Sequence, residues 1–239
     1  MDNAGYTTLT RQSGLMREMQ TVANNLANMS TSGYRREGLI FAEHVKRLEG
    51  EADSLSMATA TARNTSMIQG ALTQTGGTFD FAIEGPGFFL IETPAGDRLT
   101  RAGSFTPSPE GELVTPEGHR LLDNGGSPIF VPPDATQISL AADGTLSAGE
   151  NPLAQIGLYL PTDPNQLQRE DGVRFISKAG VEPTEDSAIL QGFVENSNVD
   201  PVAEITRMIE VQRAYEMGQG FMEKEDERIR SVMRTLGSS

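Results

Sequence analysis

The hydrophobic pattern of the first segment predicts a long amphipathic helix. Its seam positions recur at alternating intervals of three and four residues, with one polar interruption, and they are Leu9, Gln12, Met16, Met19, Ala23 and Leu26. This spacing is typical of a helix that packs against a partner along one seam. Asp2 or Asn3 can cap the start, so we expect a helix of about 25 residues and about 38 Å.

The last segment carries a matching pattern. Asp200 and Pro201 form a strong helix start, an N-cap followed by proline at the first helical position. Beyond them, apolar residues recur every seven positions and form the seven-residue line Met208, Tyr215, Met222, Ile229 and Leu236. A companion line with the same interval consists of Ile205, Gln212, Gln219, Asp226 and Met233. A seven-residue repeat is typical of helices that supercoil around partners. We predict a helix of about 37 residues, roughly 55 Å long, that ends at Gly237.

Between these helices the pattern changes to short apolar runs separated by turns. Runs such as FDFAIE, GFFLIE, AQIGLYL and AILQGFVE alternate with turn residues, and Asp143-Gly144 predicts a hairpin turn. We therefore predict an α+β chain of several domains, in which the two terminal helices form a coiled-coil-like helical domain and an all-β domain is inserted between them. The expected segments are an N-terminal helical assembly segment (1–37), a connector (38–77), the all-β outer domain (78–195) and a C-terminal helical assembly segment (196–239).

The charge distribution separates the two ends from the middle. The formal net charge is −14; residues 51–198 carry seven Lys/Arg against twenty Asp/Glu, residues 1–50 six against five, and residues 199–239 six against eight. An acidic middle suits a solvated surface, and near-neutral ends can pack against copies of themselves. The charge argues against nucleic acid or an anionic membrane as a partner, because both need a concentrated basic surface.

The sequence contains few signals that indicate the cellular compartment of the protein. Cysteine is absent, which excludes disulfides and thiolate chemistry. The opening MDNAGYTTLT has neither the basic nor the apolar region of a cleaved signal peptide, and no run approaches the roughly 18 apolar residues that a membrane helix needs. We therefore expect no direct membrane insertion, and we expect that an exported chain uses a route without a cleaved signal peptide.

No motif predicts catalysis, a cofactor or a metal site. GPGFFL at 85–90 lacks the third glycine of a dinucleotide fingerprint and lies between two predicted strands, so we interpret it as a hairpin turn. His44 and His119 lie in different segments, with no cysteine to complete a zinc site. Glu182 and Glu185 lack the ligand spacing of a calcium loop and are expected to form solvated surface. We expect a protein that is not an enzyme.

Three stretches resemble the signature blocks of bacterial flagellar rod and hook proteins. ANNLANMSTSGYRRE resembles the N-terminal block A-N-N-[LI]-A-N-x-x-T-x-G-[FY]-[KR]. FDFAIEGPGFFLIETPAGDRLTRAGSFTPSPEGELVTPEGHRLL resembles the central block, with D-x-A-I-x-G-x-G-F-F and T-R-x-G-x-F, and LQGFVENSNVDPVAEITRMIEVQRAYEMGQGFM resembles the C-terminal block, with M-I-x-x-Q-R-A-Y-E. The blocks occur in the family's order and together span nearly the whole chain. The opening MDNAGY and the short length favour the proximal rod, and a distal rod subunit is the alternative.

The resemblance implies a structural subunit of the flagellar basal-body rod, a hollow drive shaft that transmits torque. It implies that the terminal helices polymerise around an export channel and that the β-domains face outward. The implied partners are other copies of the chain, neighbouring proximal rod proteins, the distal rod protein and the flagellar type III export apparatus. The implied location is the periplasmic rod of the basal body, with no cofactor. A second class of function stays open, in which the β-domain is a binding module on an oligomeric helical stalk.

Asparagine is unusual near the end of a predicted helix, because its amide favours caps and turns. We hypothesise that Asn24, Asn25 and Asn28 hydrogen-bond a neighbouring copy and fix its register, with helix termination as the alternative role of Asn28. In the TRAGSF element, Arg101 and Phe105 are expected to stabilise the β-domain. The predicted assembly interface consists of Leu9, Met16, Met19, Ala23, Asn24, Asn25, Leu26, Asn28, Ile205, Met208, Gln212, Tyr215, Met222 and Ile229.

Overall fold

The computed structural model describes residues 2–46, 55–184 and 186–237. Two long helices, α1 (Asp2–Ala27) and α2 (Pro201–Gly237), flank a β-rich middle. The first nine strands are β1 (Glu37–Lys46), β2 (Leu55–Thr65), β3 (Leu72–Gln74), β4 (Phe81–Glu84), β5 (Phe88–Thr93), β6 (Gly96–Thr100), β7 (Thr106–Pro107), β8 (Leu113–Val114) and β9 (Arg120–Leu121). The others are β10 (Ile138–Leu140), β11 (Thr145–Ala148), β12 (Asn151–Gln155), β13 (Leu158–Pro161), β14 (Leu167–Asp171), β15 (Arg174–Ser177), β16 (Val181–Pro183), β17 (Ala188–Gln191) and β18 (Phe193–Glu195), with a 3-10 helix at Pro164–Gln166. The predicted α+β class is confirmed.

The helices have the predicted lengths and starts. α1 has 26 residues and α2 has 37, ending at Gly237. Asp200 caps α2, since its Oδ1 accepts a hydrogen bond from the Val202 backbone N–H at 2.9 Å. Pro201 follows at the first helical position, where the missing N–H costs nothing. Within the described part of the chain, neither helix combines the length and the apolar character needed to cross a membrane.

The chain divides into two compact units. The helical unit consists of Met1–Ala27, Glu37–Asn64 and Asp200–Ser239, and the β unit consists of Asn28–Arg36 and Thr65–Val199. The segment predicted as a connector, 38–77, contains most of β1 and all of β2 and β3, which its Ser/Thr/Ala-rich composition did not indicate. β1 and β2 pair with each other as a two-stranded sheet in the helical unit.

The β unit is built on a nine-stranded sheet. The strands pair in the order β14-β15-β6-β5-β9-β8-β7, and β13 pairs with both β5 and β16. Smaller sheets contain β10-β11-β12, β17-β4 and β18-β3. The predicted hairpin at Asp143-Gly144 is confirmed: it joins β10 to β11, and Gly144 has a φ of +86°. The hairpin turn predicted at 85–90 is wrong, because β4 pairs with β17 whereas β5 pairs with β6, β9 and β13.

Aromatic rings form the centre of the larger core of the β unit. Phe81 and Phe89 flank Phe105 at centroid distances of 5.9 and 5.6 Å, and all three side chains are buried. Gly103 permits this approach, because a Cβ at that position would lie 1.7 Å from the carbonyl oxygen of Phe81. The expected stabilising role of Phe105 is therefore confirmed as a core contact.

Candidate assembly interface

α1 and α2 lie antiparallel within the helical unit, and polar side chains join them. The Gln12 amide donates to the backbone oxygen of Tyr215 at 2.9 Å, and Arg207 donates to the Glu18 carboxylate at 2.6 Å through its Nε. In residues 8–27 of α1, where burial is described, the buried residues besides Gly14 are Gln12, Glu18, Thr21, Val22 and Asn25, and Val22 is the one aliphatic side chain among them. The interior between the two helices is therefore mainly polar.

Asn25 lies at the centre of a fully buried hydrogen-bond network. Its amide donates to the Glu37 backbone oxygen at 2.8 Å and to Glu204 Oε2 at 3.1 Å, and its Oδ1 accepts from the Glu37 N–H at 3.0 Å. Asn25 and Glu204 are both 0% exposed. The network fixes the start of β1 against both helices. This differs from the hypothesis that Asn25 bonds a neighbouring copy, because these three bonds stay inside the chain.

The structure exposes only part of the predicted seam of α1, because Gln12, one of its positions, is buried and bonded to α2. Leu9 is 56% exposed, Met16 is 49% exposed and Ala23 is also exposed, whereas Met19 and Leu26 are half-buried. The buried Val22 lies one helical turn before the half-buried Leu26, so the buried side of α1 adjoins this end of the seam. α1 therefore exposes apolar side chains such as Leu9 and Met16 while it buries polar ones such as Asn25. An ordinary amphipathic surface helix has the reverse arrangement.

Two asparagines of the hypothesis lie on or near the helix end. Asn24 is exposed on α1, and Asn28 is the first residue after it. The Asn28 backbone oxygen accepts from the Thr31 N–H at 3.1 Å, so Asn28 begins a turn.

The seven-residue line of α2 faces α1 in part. Met208, Tyr215 and Met222 are half-buried, while Ile205, Gln212 and Ile229 are exposed. Beside this line lie the buried Glu204 and Val211 and the half-buried Gly218 and Glu225. The observed companion line therefore consists of positions 204, 211, 218 and 225, each one residue before the predicted positions 205, 212, 219 and 226.

The end of α2 extends beyond α1. Gln12 contacts Tyr215, and the antiparallel arrangement places the first residue of α1, Asp2, opposite about Glu225. The remaining part of α2 therefore projects for about 18 Å at 1.5 Å per residue. Its apolar side chains are exposed: Ile229 by 39%, Val232 by 48%, Met233 by 68% and Leu236 by 73%. We call residues 226–237 the α2 tail.

A groove of about 360 Å³ lies between the two helices near the base of the α2 tail. It is lined by Thr8, Arg11, Gln12, Leu15, Ala214, Met217, Gly218 and Phe221. Gln12 is buried, yet its Oε1 accepts no hydrogen bond from the described residues. The groove thus combines apolar walls with one unused buried acceptor.

The second half of the N-terminal signature belongs to the β unit. Gly33 has a φ of +72°, and a Cβ there would lie 2.2 Å from the Ala102 backbone nitrogen, so no other residue fits. Tyr34 is buried, and the guanidinium of Arg169 stacks between its ring and that of Phe175 at 4.2 and 4.6 Å. The Ser, Thr and Gly residues that end the helix pattern thus lead into a segment packed in the β unit.

Arg35, Arg101 and Glu195 form a buried ionic cluster in the β unit. The Glu195 carboxylate lies 3.0 Å from Arg35 and 2.9 Å from Arg101, and all three side chains are at most 3% exposed. Burial lowers the pKa of Arg101 to about 10, and burial also lowers the pKa of Arg35, against the attraction of Glu195. Both guanidinium groups stay charged at neutral pH. The expected role of Arg101 is confirmed, but the sequence analysis missed its partners.

The described side chains offer little chemistry for catalysis. Among them, no three His, Asp or Glu residues lie close enough together to hold a metal ion. His119 contacts the guanidinium of Arg174, which is paired with Asp171. The side chain of His44 and the whole of Glu185 lie outside the described residues.

The chain matches three family models in the order that its blocks predict. They are described as flagella basal body rod protein (residues 6–35), flagellar hook protein FlgE/F/G D1 domain (residues 82–148) and flagellar basal body rod FlgEFG protein C-terminal (residues 190–235). The first match covers most of α1 and most of the signature segment, and the last covers most of α2.

Similar proteins align along nearly the whole length. The flagellar basal-body rod protein FlgF of Caulobacter vibrioides is 41% identical, with 99% of each chain covered. FlgF of Mesorhizobium japonicum is 38% identical, over 100% of this chain and 99% of that protein. The flagellar basal-body rod protein FlgG of Agrobacterium fabrum is 31% identical, over 91% of this chain and 93% of that protein. The chain belongs to the family of flagellar basal-body rod proteins.

Proposed function

We propose that this chain is a structural, non-enzymatic subunit of the bacterial flagellar basal-body rod. Copies polymerise through α1 and α2 in a coiled-coil-like layer to form the hollow drive shaft that transmits torque, and the β unit forms the outer layer. The single observation that carries this proposal is the exposed apolar surface of the two helices, in a chain similar to rod proteins along its whole length.

The magnitudes favour a polymer over a pair of copies. Fully burying a Leu, Ile or Met side chain contributes about 1.5–3 kcal/mol, and these side chains are already partly covered. Association costs about 4 kcal/mol or more in lost translational and rotational freedom. One contact that covers three or four such residues is therefore marginal. Contacts with several neighbours at once make the assembly favourable, which suits a tube.

The predicted interface residues divide into two groups under this proposal. Those exposed on the helices are available to neighbouring copies: Leu9, Met16, Ala23, Asn24, Ile205, Gln212 and Ile229. Those half-buried or buried contribute first to the chain's own fold: Met19, Asn25, Leu26, Asn28, Met208, Tyr215 and Met222. The residues of the first group make the contacts between neighbouring copies.

We place the subunit in the proximal rod of the periplasmic part of the basal body. The partners are further copies, neighbouring proximal rod proteins and the distal rod protein, and the chain reaches the rod through the flagellar type III export apparatus without a cleaved signal peptide. Identities of 41% and 38% with two FlgF proteins support this placement. A distal rod subunit is the alternative, because identity with one FlgG protein reaches 31%.

The test is replacement in cells. A motile bacterium that lacks its own copy of this chain should regain swimming when the full chain is supplied, and electron microscopy of purified basal bodies should show the chain in the rod. Purified alone, the chain should show an apparent molar mass, measured by light scattering, that rises with concentration. A chain that restores swimming from outside the rod, or a monomer that stays unassociated at every concentration, would overturn the proposal.

A further inference from the structure

A cavity of about 610 Å³ opens on the surface of the β unit, beside the Asp143-Gly144 hairpin. Its floor is apolar and consists of core side chains, Ile156, Leu158 and Ile189, each at most 6% exposed. Ligand sites in proteins have volumes of about 300–1,000 Å³ and a mainly apolar lining with a few polar groups. The cavity therefore has the size and the floor of a binding site.

Contacts within the β unit hold the rim of this cavity in place. A Cβ at Gly157 would lie 2.8 Å from the Asn124 Cα, so the wall is too tight there for a side chain. The Asn124 amide donates to Gln155 Oε1 at 2.9 Å, and the Gln155 amide donates to the Asp143 backbone oxygen at 3.1 Å. The cavity is therefore formed by the lone chain, before any ligand binds.

Asp143 decides which chemistry the cavity can accept. Among the described residues that line the cavity, it alone carries a charge. Its Oδ1 accepts from the Thr145 backbone N–H at 2.9 Å, and its Oδ2 accepts from the Thr145 hydroxyl at 3.1 Å. These bonds hold the pKa of Asp143 below its usual value, so the carboxylate is charged at neutral pH.

The same two bonds favour a lysine over an arginine as the group that Asp143 binds. They occupy one position on each carboxylate oxygen, which suits a single ammonium better than the two-pronged guanidinium. A lysine also packs its carbons on apolar surface while its charged end stays at the rim. The apolar floor beside the carboxylate thus matches the two ends of a lysine side chain.

The charge of the β unit indicates which kind of chain supplies the lysine. The β unit holds eight Lys/Arg against eighteen Asp/Glu. Several of its cations are already paired within the unit, for example Arg98 with Glu170 and Arg174 with Asp171. A second β unit would bring further negative charge to the cavity, whereas a basic protein would be attracted to it. Charge complementarity therefore favours a basic protein of another kind over a further copy.

We infer that this cavity, which we call the Asp143 pocket, receives a lysine side chain of a basic partner protein. The lysine carbons lie on the floor formed by Ile156 and Ile189, and the ammonium pairs with the Asp143 carboxylate. This inference goes beyond the proposed function, because it concerns a contact with a different protein rather than the assembly of copies.

The first test attaches probes to a cysteine at the rim, since the natural chain contains no cysteine. Thr184 lines the pocket, so the full chain with T184C is offered the disulfides of a four-carbon aminothiol and of the hydroxythiol of equal length, against a competing thiol. We expect the amine to be retained about three- to fivefold better, the preference that a partly exposed ion pair allows. Asp143→Asn should abolish this preference. Mass spectrometry of the intact protein measures the retention.

N151C is the matched control for T184C. Asn151 is exposed and follows the carboxylate of Glu150, but it is not among the residues that line the pocket. An equal preference for the amine at N151C, or a preference that survives Asp143→Asn, overturns the inference, because general acidity of the surface would then explain it. If T184C lowers the urea midpoint of the β unit, S187C on the same rim is used under the same criteria.

The second test identifies the partner in purified basal bodies. A carbodiimide joins a carboxylate to an amine in contact with it, and mass spectrometry of the digest should find Asp143 joined to a lysine of a different protein. A link to the exposed Lys178 of another copy overturns the inference, as does an Asp143 left unlinked while other exposed carboxylates of the chain react. Absence of the chain from the basal bodies overturns the proposed function instead, and the result of the first test then still decides whether the pocket takes a lysine.

Discussion

The β unit and the helical unit bury different kinds of side chain. In the β unit, Phe81, Phe88, Phe89 and Phe175 are all fully buried, and the charged Arg35–Glu195–Arg101 cluster is satisfied internally. In the helical unit, Asn25 and Glu204 are fully buried, whereas apolar residues such as Leu236 are exposed. The β unit therefore buries its core side chains as a domain that folds alone does. The helical unit exposes apolar side chains, as a subunit that packs against other chains does.

This difference separates what folds the chain from what assembles it. A single copy can complete the core of the β unit, because its core apolar side chains are already removed from water, although Ile68 and Phe130 are exposed. The helical unit gains little from apolar burial within one chain and keeps its exposed stripes for neighbours. Disrupting the β unit should therefore lower the stability of the lone chain, and changing the helix stripes should alter association alone.

Glu195→Ala is expected to have the largest effect on the lone chain. It leaves Arg35 and Arg101 charged and buried without a counterion, which should lower the free energy of unfolding of the β unit by about 3–5 kcal/mol. Urea unfolding followed by circular dichroism measures this loss. The matched control is Glu92→Ala, since the Glu92–Arg120 pair is about half exposed and is worth under about 1 kcal/mol. Equal losses in the two variants would show that the buried cluster does not hold the β unit together.

Asn25→Ala tests the polar interior of the helical unit. It removes three buried hydrogen bonds that Asn25 makes with Glu37 and Glu204, so we expect a loss of about 1–3 kcal/mol. Hydrogen exchange should show faster exchange in α1 and β1, with the β unit unchanged. Asn24→Ala is the control, because Asn24 is exposed, and it should leave exchange in the lone chain nearly unchanged while weakening assembly. Similar exchange in both variants would argue that Asn25 does not organise this unit.

Local signals made much of the fold predictable. The Asp200-Pro201 start, the end at Gly237 and the Asp143-Gly144 hairpin each depend on neighbouring residues alone. The companion line of α2 was displaced by one residue, because a seven-residue repeat does not specify which adjacent column faces the partner helix. The strands within 38–77 were missed because their composition lacks a strong apolar alternation.

The buried ionic cluster could not be predicted from the residues by themselves. Arg35 and Glu195 are separated by most of the chain, and sequence spacing carries no information on such a distant pair. The only available signal was that both lie in blocks that resemble the rod family's signatures. The same limit explains Asn25, whose unusual place in a helix was noticed, but whose partners Glu37 and Glu204 come from two other segments.

Acid should weaken the β unit through Glu170, with a smaller effect than either substitution above. Hydrogen bonds from Arg98, one of 2.9 Å, hold the pKa of Glu170 below its usual value of 4.5. A carboxylate with a lowered folded-state pKa stabilises the fold above its usual pKa, and this contribution is lost as the pH falls through the lowered value. Glu170→Gln should therefore be less stable than wild type at pH 7 and approach it toward pH 3. Glu150→Gln replaces an exposed residue in the turn after β11 and is the control, and it should change the free energy of unfolding in urea by less than about 0.5 kcal/mol at pH 7.

Leu236→Ser should have the smallest effect on the lone chain and a measurable one on assembly. Leu236 is 73% exposed, so the unfolding free energy should change by less than about 0.5 kcal/mol. If a neighbouring copy covers the α2 tail, the lost burial should raise the concentration needed for association by roughly three- to tenfold, since each 1.4 kcal/mol is tenfold in affinity. Light scattering against concentration measures the shift, with Thr235→Ser as the neighbouring control. An unchanged association curve in Leu236→Ser would mean that the end of the α2 tail stays in solvent after assembly. The exposed apolar surface that the helical unit uses for assembly would then end before Leu236.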